Sequence, residues 1–320
     1  MSNQSIHQKI TDQIIEAMKN AKDFQLPWNA PGLGLPTNSF TRNTYNGINI
    51  LSLWVSAMDK QFSSNSWATY KQWQQMGAQV RKGQKGNPIV IYKALSPNED
   101  TGSATETGPD YHTRPRVLIR SATVFNADQV TGLEIPQPQL ELGENKPLDR
   151  LGLVDTFVSN TQAVIKVGGS SAYYSPKQDL IAIPNPECFI GTDTSSRAES
   201  WYSALLHELT HWTGNDKRCH RNMSGRFGDE SYAIEELIAE LGAAFLCAQL
   251  NVTSVPRQDH ADYLANWIKV LSGDVKAIFW ASARASEAVA YLNGLQPTQT
   301  ISSLRTSAGI NNPSNQVDPA

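Results

Sequence analysis

Cysteine is scarce: Cys188, Cys219 and Cys247 are the only three in 320 residues, and none forms a CxxC pair. That is too few for a disulfide framework and excludes the small secreted scaffolds that depend on one. No apolar run reaches the ~18 residues that a membrane-spanning helix requires. The first residues, Met-Ser-Asn-Gln-Ser-Ile-His, lack the cationic and then apolar pattern of a secretion signal. The expected location is therefore a reducing cytoplasm, with no membrane partner. Internal repeats are absent as well, which excludes a solenoid. Charged residues make up 18 % and hydrophobic residues 40 %, a balance that excludes a wholly disordered chain.

What charge there is lies unevenly. Residues 1–98 carry ten Lys and Arg against four Asp and Glu, a balance of +6. Residues 151–320 carry twelve against seventeen, a balance of −5. A basic half joined to an acidic half points to an anionic partner for the first half alone. Residues 96–114 contain no Val, Ile, Leu or Phe and read as a mobile loop. Residues 136–149 hold three prolines and little pattern, and read as a linker between a first domain, 1–135, and a second, 150–320.

Periodicity predicts an α+β protein: an N-terminal mixed α/β part followed by a mostly helical part with a small β-sheet. Ile6, Ile10, Ile14 and Met18 recur at helical spacing. Residues 48–58 and 69–80 read as helices. Residues 88–95 and 115–125 read as strands of a hairpin with a long insertion. Beyond the linker, a helix over 150–159 and strands near 163–167, 172–175 and 179–183 precede helices over 196–213, 231–250, 259–272 and 274–292.

His207-Glu208-Leu209-Thr210-His211 is an HExxH motif. Positions i and i+4 share a helix face, so both imidazoles can reach one ion. Glu208 points elsewhere and is the candidate general base that takes a proton from the attacking water. Ser196 and Glu199 offer a capping box before this helix, and Gly214 a stop after it. The segment 231–250 is apolar on nearly every side and should be buried, yet it carries Glu235, Glu236 and Glu240. Buried carboxylates demand a cation. Glu236 and Glu240 share a face, whereas Glu235 points away. Glu236 is assigned as the third ligand and Glu240 as the carboxylate that orients His207. His220 is the rival third ligand, because Lys217 occupies the last position of the longer HExxHxxGxxH pattern. Two histidines, a glutamate and a water describe an open catalytic zinc site suited to peptide or amide hydrolysis, with Mn²⁺ or Co²⁺ as alternative occupants. Tyr232, His220 and Arg221 are candidate donors to the oxyanion. Residues 172–183 could offer an edge strand to an extended peptide.

In the first half, aromatic and basic residues alternate, the usual means of gripping single-stranded nucleic acid. Trp54 lies in an apolar helix and reads as core; Trp28, between prolines, reads as loop packing. Trp67 and Trp73, near Lys71, are the surface candidates, with Arg42, Tyr45, Arg81, Lys82 and Lys85 as companions. Arg81-Lys82-Gly83-Gln84-Lys85-Gly86 is a basic turn whose glycines let backbone N–H groups approach phosphate, though it lacks P-loop spacing.

Several linked motifs resemble one family along nearly the whole chain. In the first half they are Tyr45-Asn46-Gly47-Ile48-Asn49 with Leu53-Trp54, Trp67 to Gln72, Gly77 to Gly83, and Val124-Phe125-Asn126 with Gln129. In the second they are Asp179-Leu180-Ile181 with Pro184, HELTHWTG (His207 to Gly214) and Tyr232 to Leu246. Together these resemble the ArdC antirestriction proteins, whose N-terminal domain is also similar to that of TraC-type plasmid primases. The resemblance implies a single-stranded-DNA-binding domain followed by a zincin-like metallopeptidase domain, carried on a conjugative plasmid or another mobile element. It implies protection of incoming DNA from host restriction in the recipient bacterium, and it fits Glu236 as the glutamate ligand. The chain departs from the family at Asn215-Asp216, where basic or histidine residues often follow the glycine. Two alternatives stand beside this expectation: a DNA-binding protein whose zincin part holds metal only for structure, and a plain zinc peptidase with an N-terminal protein-interaction module. The protein substrate and any duplex-DNA binding are left open.

Overall fold

A computed structural model describes residues 5–21, 28, 34–94, 117–133, 147–191, 195–223, 229–253 and 260–297. The first half contains α1 (Ile6–Lys19), β1 (Thr37–Asn38), α2 (Ile48–Asp59), β2 (Ser66–Thr69), α3 (Tyr70–Gln75), β3 (Gln79–Val80), β4 (Asn87–Ala94), β5 (Val117–Asn126) and β6 (Val130–Thr131). The second half contains α4 (Pro147–Asn160), β7 (Val164–Val167), β8 (Tyr173–Ser175), β9 (Leu180–Ile183), α5 (Arg197–Thr213), α6 (Glu230–Leu250), α7 (His260–Gly273) and α8 (Ala277–Gly294). The architecture is α+β, as the periodicity predicts.

A four-stranded sheet of order β1-β2-β5-β4 organises the first half, with β1 parallel to β2 and the other pairs antiparallel. The expected hairpin is present: β4 and β5 pair from Asn87↔Val124 to Ala94↔Val117. The loop expected over 96–114 lies outside the described residues. The helix expected over 69–80 is shorter. Gly77 adopts φ +84, which stops α3, and the chain then extends so that Gln79 and Val80 pair with Thr131 and Val130. Helix α4 begins at Pro147, three residues before the expected start at 150, and residues 134–146 lie outside the described set. In the second half, a three-stranded sheet of order β7-β9-β8 leaves β8 at an edge.

Helix α6 is the axis of the molecule. Leu237, Ile238, Leu241, Phe245 and Leu246 are buried on different sides of it, and α5, α7 and α8 pack around it. One hydrophobic cluster runs from there into the first half. It includes Ile10, Ile14 and Met18 of α1 and Ile48, Leu51 and Trp54 of α2 together with Phe245, Trp267 and Phe279. Trp54 meets Phe245 at 5.8 Å between centroids and Trp28 meets Trp267 at 6.2 Å. Polar ties cross the same boundary: the Gly47 N–H donates to Ser286 Oγ (2.8 Å) and Thr11 Oγ1 to the Val275 carbonyl (2.7 Å). Each large side chain buried there stabilises the fold by about 1.5–3 kcal/mol, so the two halves support each other. Among the described residues no helix is long and apolar enough to cross a membrane.

Glu199, buried in the first turn of α5, staples that helix to the chain after α6. Its Oε2 accepts from the Ser196 N–H and hydroxyl (2.9 Å each), and its Oε1 from the Thr253 N–H (3.2 Å) and hydroxyl (2.9 Å). Burial works to raise its pKa, but the four hydrogen bonds outweigh it and hold the carboxyl below its ordinary 4.5. A depressed folded-state pKa means that this stabilisation is complete above the unfolded value and lost as pH falls through the folded one. Glu199→Ala should therefore cost about 1–3 kcal/mol at neutral pH. The gap from wild type should close in thermal melts taken in increasing acid below pH ~4.5; a gap that persists there would exclude the ionised staple.

Candidate metal centre

Helix α5 starts from the expected capping box, with Ser196 Oγ accepting from the Glu199 N–H at 3.2 Å, and stops at Gly214. It presents His207 and His211 one turn apart, with ring centroids 4.8 Å apart and planes at 78°. Helix α6 lies close against it because Gly242 has no side chain. A Cβ at that position would fall 2.5 Å from Thr210 Cγ2, inside van der Waals contact. The approach brings Glu236 between the two rings.

Glu236 Oε2 lies 3.5 Å from His207 Nε2, and Glu236 Oε1 lies 3.5 Å from His211 Nε2. One ligand atom from each of the three residues lies within 4.8 Å of the others, and all three residues are buried. At 3.5 Å the contacts are long for hydrogen bonds, which favour 2.7–3.2 Å. They match the ~3.4 Å edge of a tetrahedron whose corners stand ~2.0–2.1 Å from a shared ion. The donor set and its spacing therefore fit a divalent metal. His220 stands apart, its side chain 79 % exposed and its Nδ1 3.0 Å from Asp216.

Each imidazole turns its other nitrogen to a second carboxylate. His207 Nδ1 lies 3.5 Å from Glu240 Oε2, and His211 Nδ1 lies 3.2 Å from Glu235 Oε1. Such partners fix ring orientation and select the tautomer that leaves Nε2 for a ligand. Glu235 is held in turn by the buried Arg221, whose Nε donates to Oε2 (3.0 Å) and Nη2 to Oε1 (2.9 Å). Arg221 also donates to Thr213 Oγ1 (2.7 Å) and the Thr210 carbonyl (2.8 Å), so it is anchored to the last turns of α5. Glu235, which helical spacing turns away from Glu240, thus takes part in the centre, and Arg221, expected as an oxyanion donor, braces it instead. Four of the five Arg221 N–H donors go to Glu235 and α5, while His220 faces solvent; Tyr232 lies half-buried early in α6. The signal for Glu235 was the Glu235-Glu236 doublet in an otherwise apolar helix.

Burial would lower the pKa of His211, but the flanking carboxylates of Glu235 and Glu236 outweigh it and push it up to about 10. Burial would raise Glu235 and Glu236; His211 with Arg221 holds the first below its ordinary value, and the two histidines hold the second far below. The ionised carboxylates thus favour positive charge at the imidazoles they face. Glu208 is buried on α5 beside His207.

At the far end of α5, Arg218 stacks 3.8 Å from the Trp212 ring centroid and pairs with Asp179. Tyr174 of β8 donates to Asp179 (2.8 Å) and accepts from Asn215 (2.9 Å) and Arg218 (3.1 Å). The edge strand is thereby tied to the histidine-bearing helix.

The nucleic-acid candidates divide. Arg42, Lys71, Lys82 and Lys85 are exposed, and none pairs with a carboxylate among the described residues. Arg81 donates to the carbonyls of Val130 (3.2 Å) and Asp128. Tyr45 is half-buried, its hydroxyl accepting from Asn38 Nδ2 (3.1 Å). Trp67 and Trp73 are 1 % and 0 % exposed, and the Trp73 indole donates to the Phe125 carbonyl at 3.0 Å. Both are core residues, which corrects their expected role: a buried indole has no face for a base. Trp54 and Trp28 are buried as expected.

A family model described as a zincin-like metallopeptidase matches residues 153–284, and one described as the N-terminal domain of anti-restriction factor ArdC matches residues 4–125. The chain is 37 % identical over 295 residues to an uncharacterised protein, y4eC, of Sinorhizobium fredii, covering 91 % of this chain and 92 % of that one. It is 36 % identical over 298 residues to a DNA primase TraC of Escherichia coli, covering 88 % of this chain but only 26 % of the primase. The metal-free crystal structure of antirestriction protein ArdC from plasmid R388 superposes with a TM-score of 0.71 at 32 % identity, over 97 % of this chain and 100 % of that one. The Mn(II)-bound structure of the same protein gives 0.71 at 33 % identity, over 91 % and 98 %.

Glu235→Gln, which keeps the shape but removes the charge facing Arg221 and His211, should weaken divalent-ion affinity about 10- to 100-fold in competition with a chromophoric chelator. Unchanged affinity would exclude an orienting role. Gly242→Ala should destabilise by about 1–3 kcal/mol in urea denaturation through overpacking against Thr210; a neutral result would show that the two helices can part at no cost.

Proposed function

The chain belongs to the ArdC antirestriction family, and from that premise we propose that it protects single-stranded DNA entering a recipient bacterium by conjugation from host restriction. It is carried on a plasmid or another mobile element and works in the recipient's cytoplasm. Residues 1–135 bind the strand, with Arg42, Lys71, Lys82 and Lys85 available to phosphates. Residues 150–320 act as a zinc-dependent peptidase on a protein substrate, joined to the first part through 136–149.

The observation that carries the hydrolase reading is the buried triangle of His207, His211 and Glu236, with a carboxylate behind each imidazole. These three residues would hold the ion. Nitrogen and oxygen donors in this number suit Zn²⁺, and Mn²⁺ or Co²⁺ accept the same set. When bound, the ion supplies Lewis acidity to a substrate carbonyl. Glu208 takes a proton from the attacking water and passes it to the leaving amine. Glu235 and Glu240 keep the imidazoles aimed, and β8 offers a free edge to an extended peptide.

A second reading, in which the ion serves structure alone, draws support from the depth of the site, where Glu236 is 9 % exposed and both histidines are buried. Glu208→Gln separates the two. It should retain bound metal by elemental analysis while protection of unmodified DNA entering a restricting recipient falls by about 100-fold, the scale of a lost general base. Full protection by a metal-loaded Glu208→Gln protein would assign the ion to structure.

A further inference from the structure

We propose that the DNA single strand crosses the C-terminal ends of β1 and β2, with bases stacked on Phe40 and Tyr70 and phosphates held by Arg42 and Lys71. The inference rests on the single-strand reading above and places its site.

The topology brings the two segments that carry these residues to one end of the sheet. Strands β1 and β2 run parallel with Asn38 opposite Trp67, and the pairing continues as the Ser39 N–H donates to the Trp67 carbonyl (2.9 Å). Both strands therefore leave the sheet at the same end, the first into a turn bearing Phe40 and Arg42, the second into α3 bearing Tyr70 and Lys71. Asn38 clamps the two exits together. Its Oδ1 accepts from the N–H groups of Phe40 and Thr41 (3.0 Å each), and its Nδ2 donates to Gln72 Oε1 (3.2 Å). Gln72 also accepts from the Thr69 N–H (2.9 Å), closing the capping box of α3. The turn is tight, with the Asn38 N–H donating to the Asn43 carbonyl and the Arg42 N–H to the Asn38 carbonyl (2.8 Å each). Arg42 sits at φ +62, a left-handed conformation that a long side chain adopts only where its surroundings impose it.

The rings themselves are out of place for a core. Phe40 is 46 % and Tyr70 42 % exposed, while Trp54, Trp67 and Trp73 of the same half are buried. Tyr70 is fixed and only partly covered: its ring meets Phe125 with centroids 6.3 Å apart and its hydroxyl accepts from Gln79 Nε2 at 2.8 Å. Gln79 lies two residues before Arg81, so the cationic track extends toward the basic turn at 81–86. Exposed rings flanked by cations without carboxylate partners match the stacking-and-phosphate chemistry of single-strand binding. A duplex keeps its base faces stacked inside and offers such rings nothing.

The test uses the full-length, metal-loaded chain and a fluorescein-labelled 20-nucleotide oligo-dT read by fluorescence anisotropy. The double variant Phe40→Ala/Tyr70→Ala should bind about 30-fold or more weakly, from the loss of two stacked bases. Its melting temperature should fall by only about 2–4 °C, because the variant loses the Tyr70 contacts with Phe125 and Gln79 but leaves the buried core intact. Phe40→Trp with Tyr70→Trp should bind as wild type does. Arg42→Gln/Lys71→Gln should flatten the slope of log K against log salt by about 1.4, the share of two single-strand phosphates. Wild-type binding with an equally tight ring-less variant overturns this site alone. A matching loss for a duplex of the same length also overturns it, since phosphate contact would then explain the effect. Absence of oligonucleotide binding by the wild type overturns the single-strand reading itself and the site with it.

Discussion

Three carboxylates on one buried helix set the terms for the rest of the molecule. Taking a carboxylate out of water costs several kcal/mol even after relaxation. Glu235, Glu236 and Glu240 lie together on α6, where the neighbouring side chains are aliphatic or aromatic. Each demands a positive partner, and each partner comes from the neighbouring helix α5 or the turn beyond it. Arg221 meets Glu235, and the two imidazoles meet all three glutamates. The four carboxylates, Glu208 included, outnumber the one permanent cation, Arg221, and a divalent ion held by His207, His211 and Glu236 would offset most of the excess. The packing follows from this demand. Gly242 against Thr210 brings the helices close enough for a side chain on one to share an ion with two on the other. Arg221 bonded to Thr210 and Thr213 fixes the chain as it leaves α5.

The same helix carries the first half of the chain. Trp54 packs on Phe245 of α6, and Trp267, which packs on Trp28, donates its indole N–H to the Ala233 carbonyl at 2.9 Å. Ala233 lies one turn before Leu237 and two residues before Glu235. Close-packed interiors transmit strain rather than absorb it. The element that supplies the glutamates is therefore braced from behind by residues of the first half. Two parts that look separable by composition share a hydrophobic core, and the energetics of one enter the other.

That sharing marks the limit of what the sequence discloses. Spacing revealed the histidine pair, since i and i+4 must share a helix face. The clash between apolar surroundings and three glutamates pointed to a buried helix whose carboxylates need positive partners, and the structure buries them against two histidines and Arg221. Glu235 was hidden because a helical wheel gives angles about an axis but not what surrounds it, and α5 with Arg221 wraps far enough round α6 to meet it. Trp67 and Trp73 were misjudged for the same reason in reverse. Lys71 beside them suggests surface, yet Trp67 faces inward from β2 and Trp73 lies on the inner side of a six-residue helix. Phe40 and Tyr70 carry no local mark of exposure; only the parallel pairing of two short strands brings them together. The proline-rich linker read as a boundary because no sequence pattern says what will cover Ile10, Ile14 and Met18.

The charge asymmetry takes on meaning once burial is known. Part of the acidic excess of residues 151–320 comes from the buried glutamates of α6, which face two imidazoles and Arg221 rather than solvent. The basic excess of residues 1–98 is different in kind, since Arg42, Lys71, Lys82 and Lys85 are exposed without carboxylate partners among the described residues. Exposed cations act over about 8–10 Å at physiological salt, whereas a compensated buried cluster does not act at a distance. The exposed cations of the first half and the buried cluster of the second thus differ in reach, even though both stand on one hydrophobic core. Packing is what joins the two halves: a change at the buried cluster of α5 and α6 would reach the first half through the stability of the core they share.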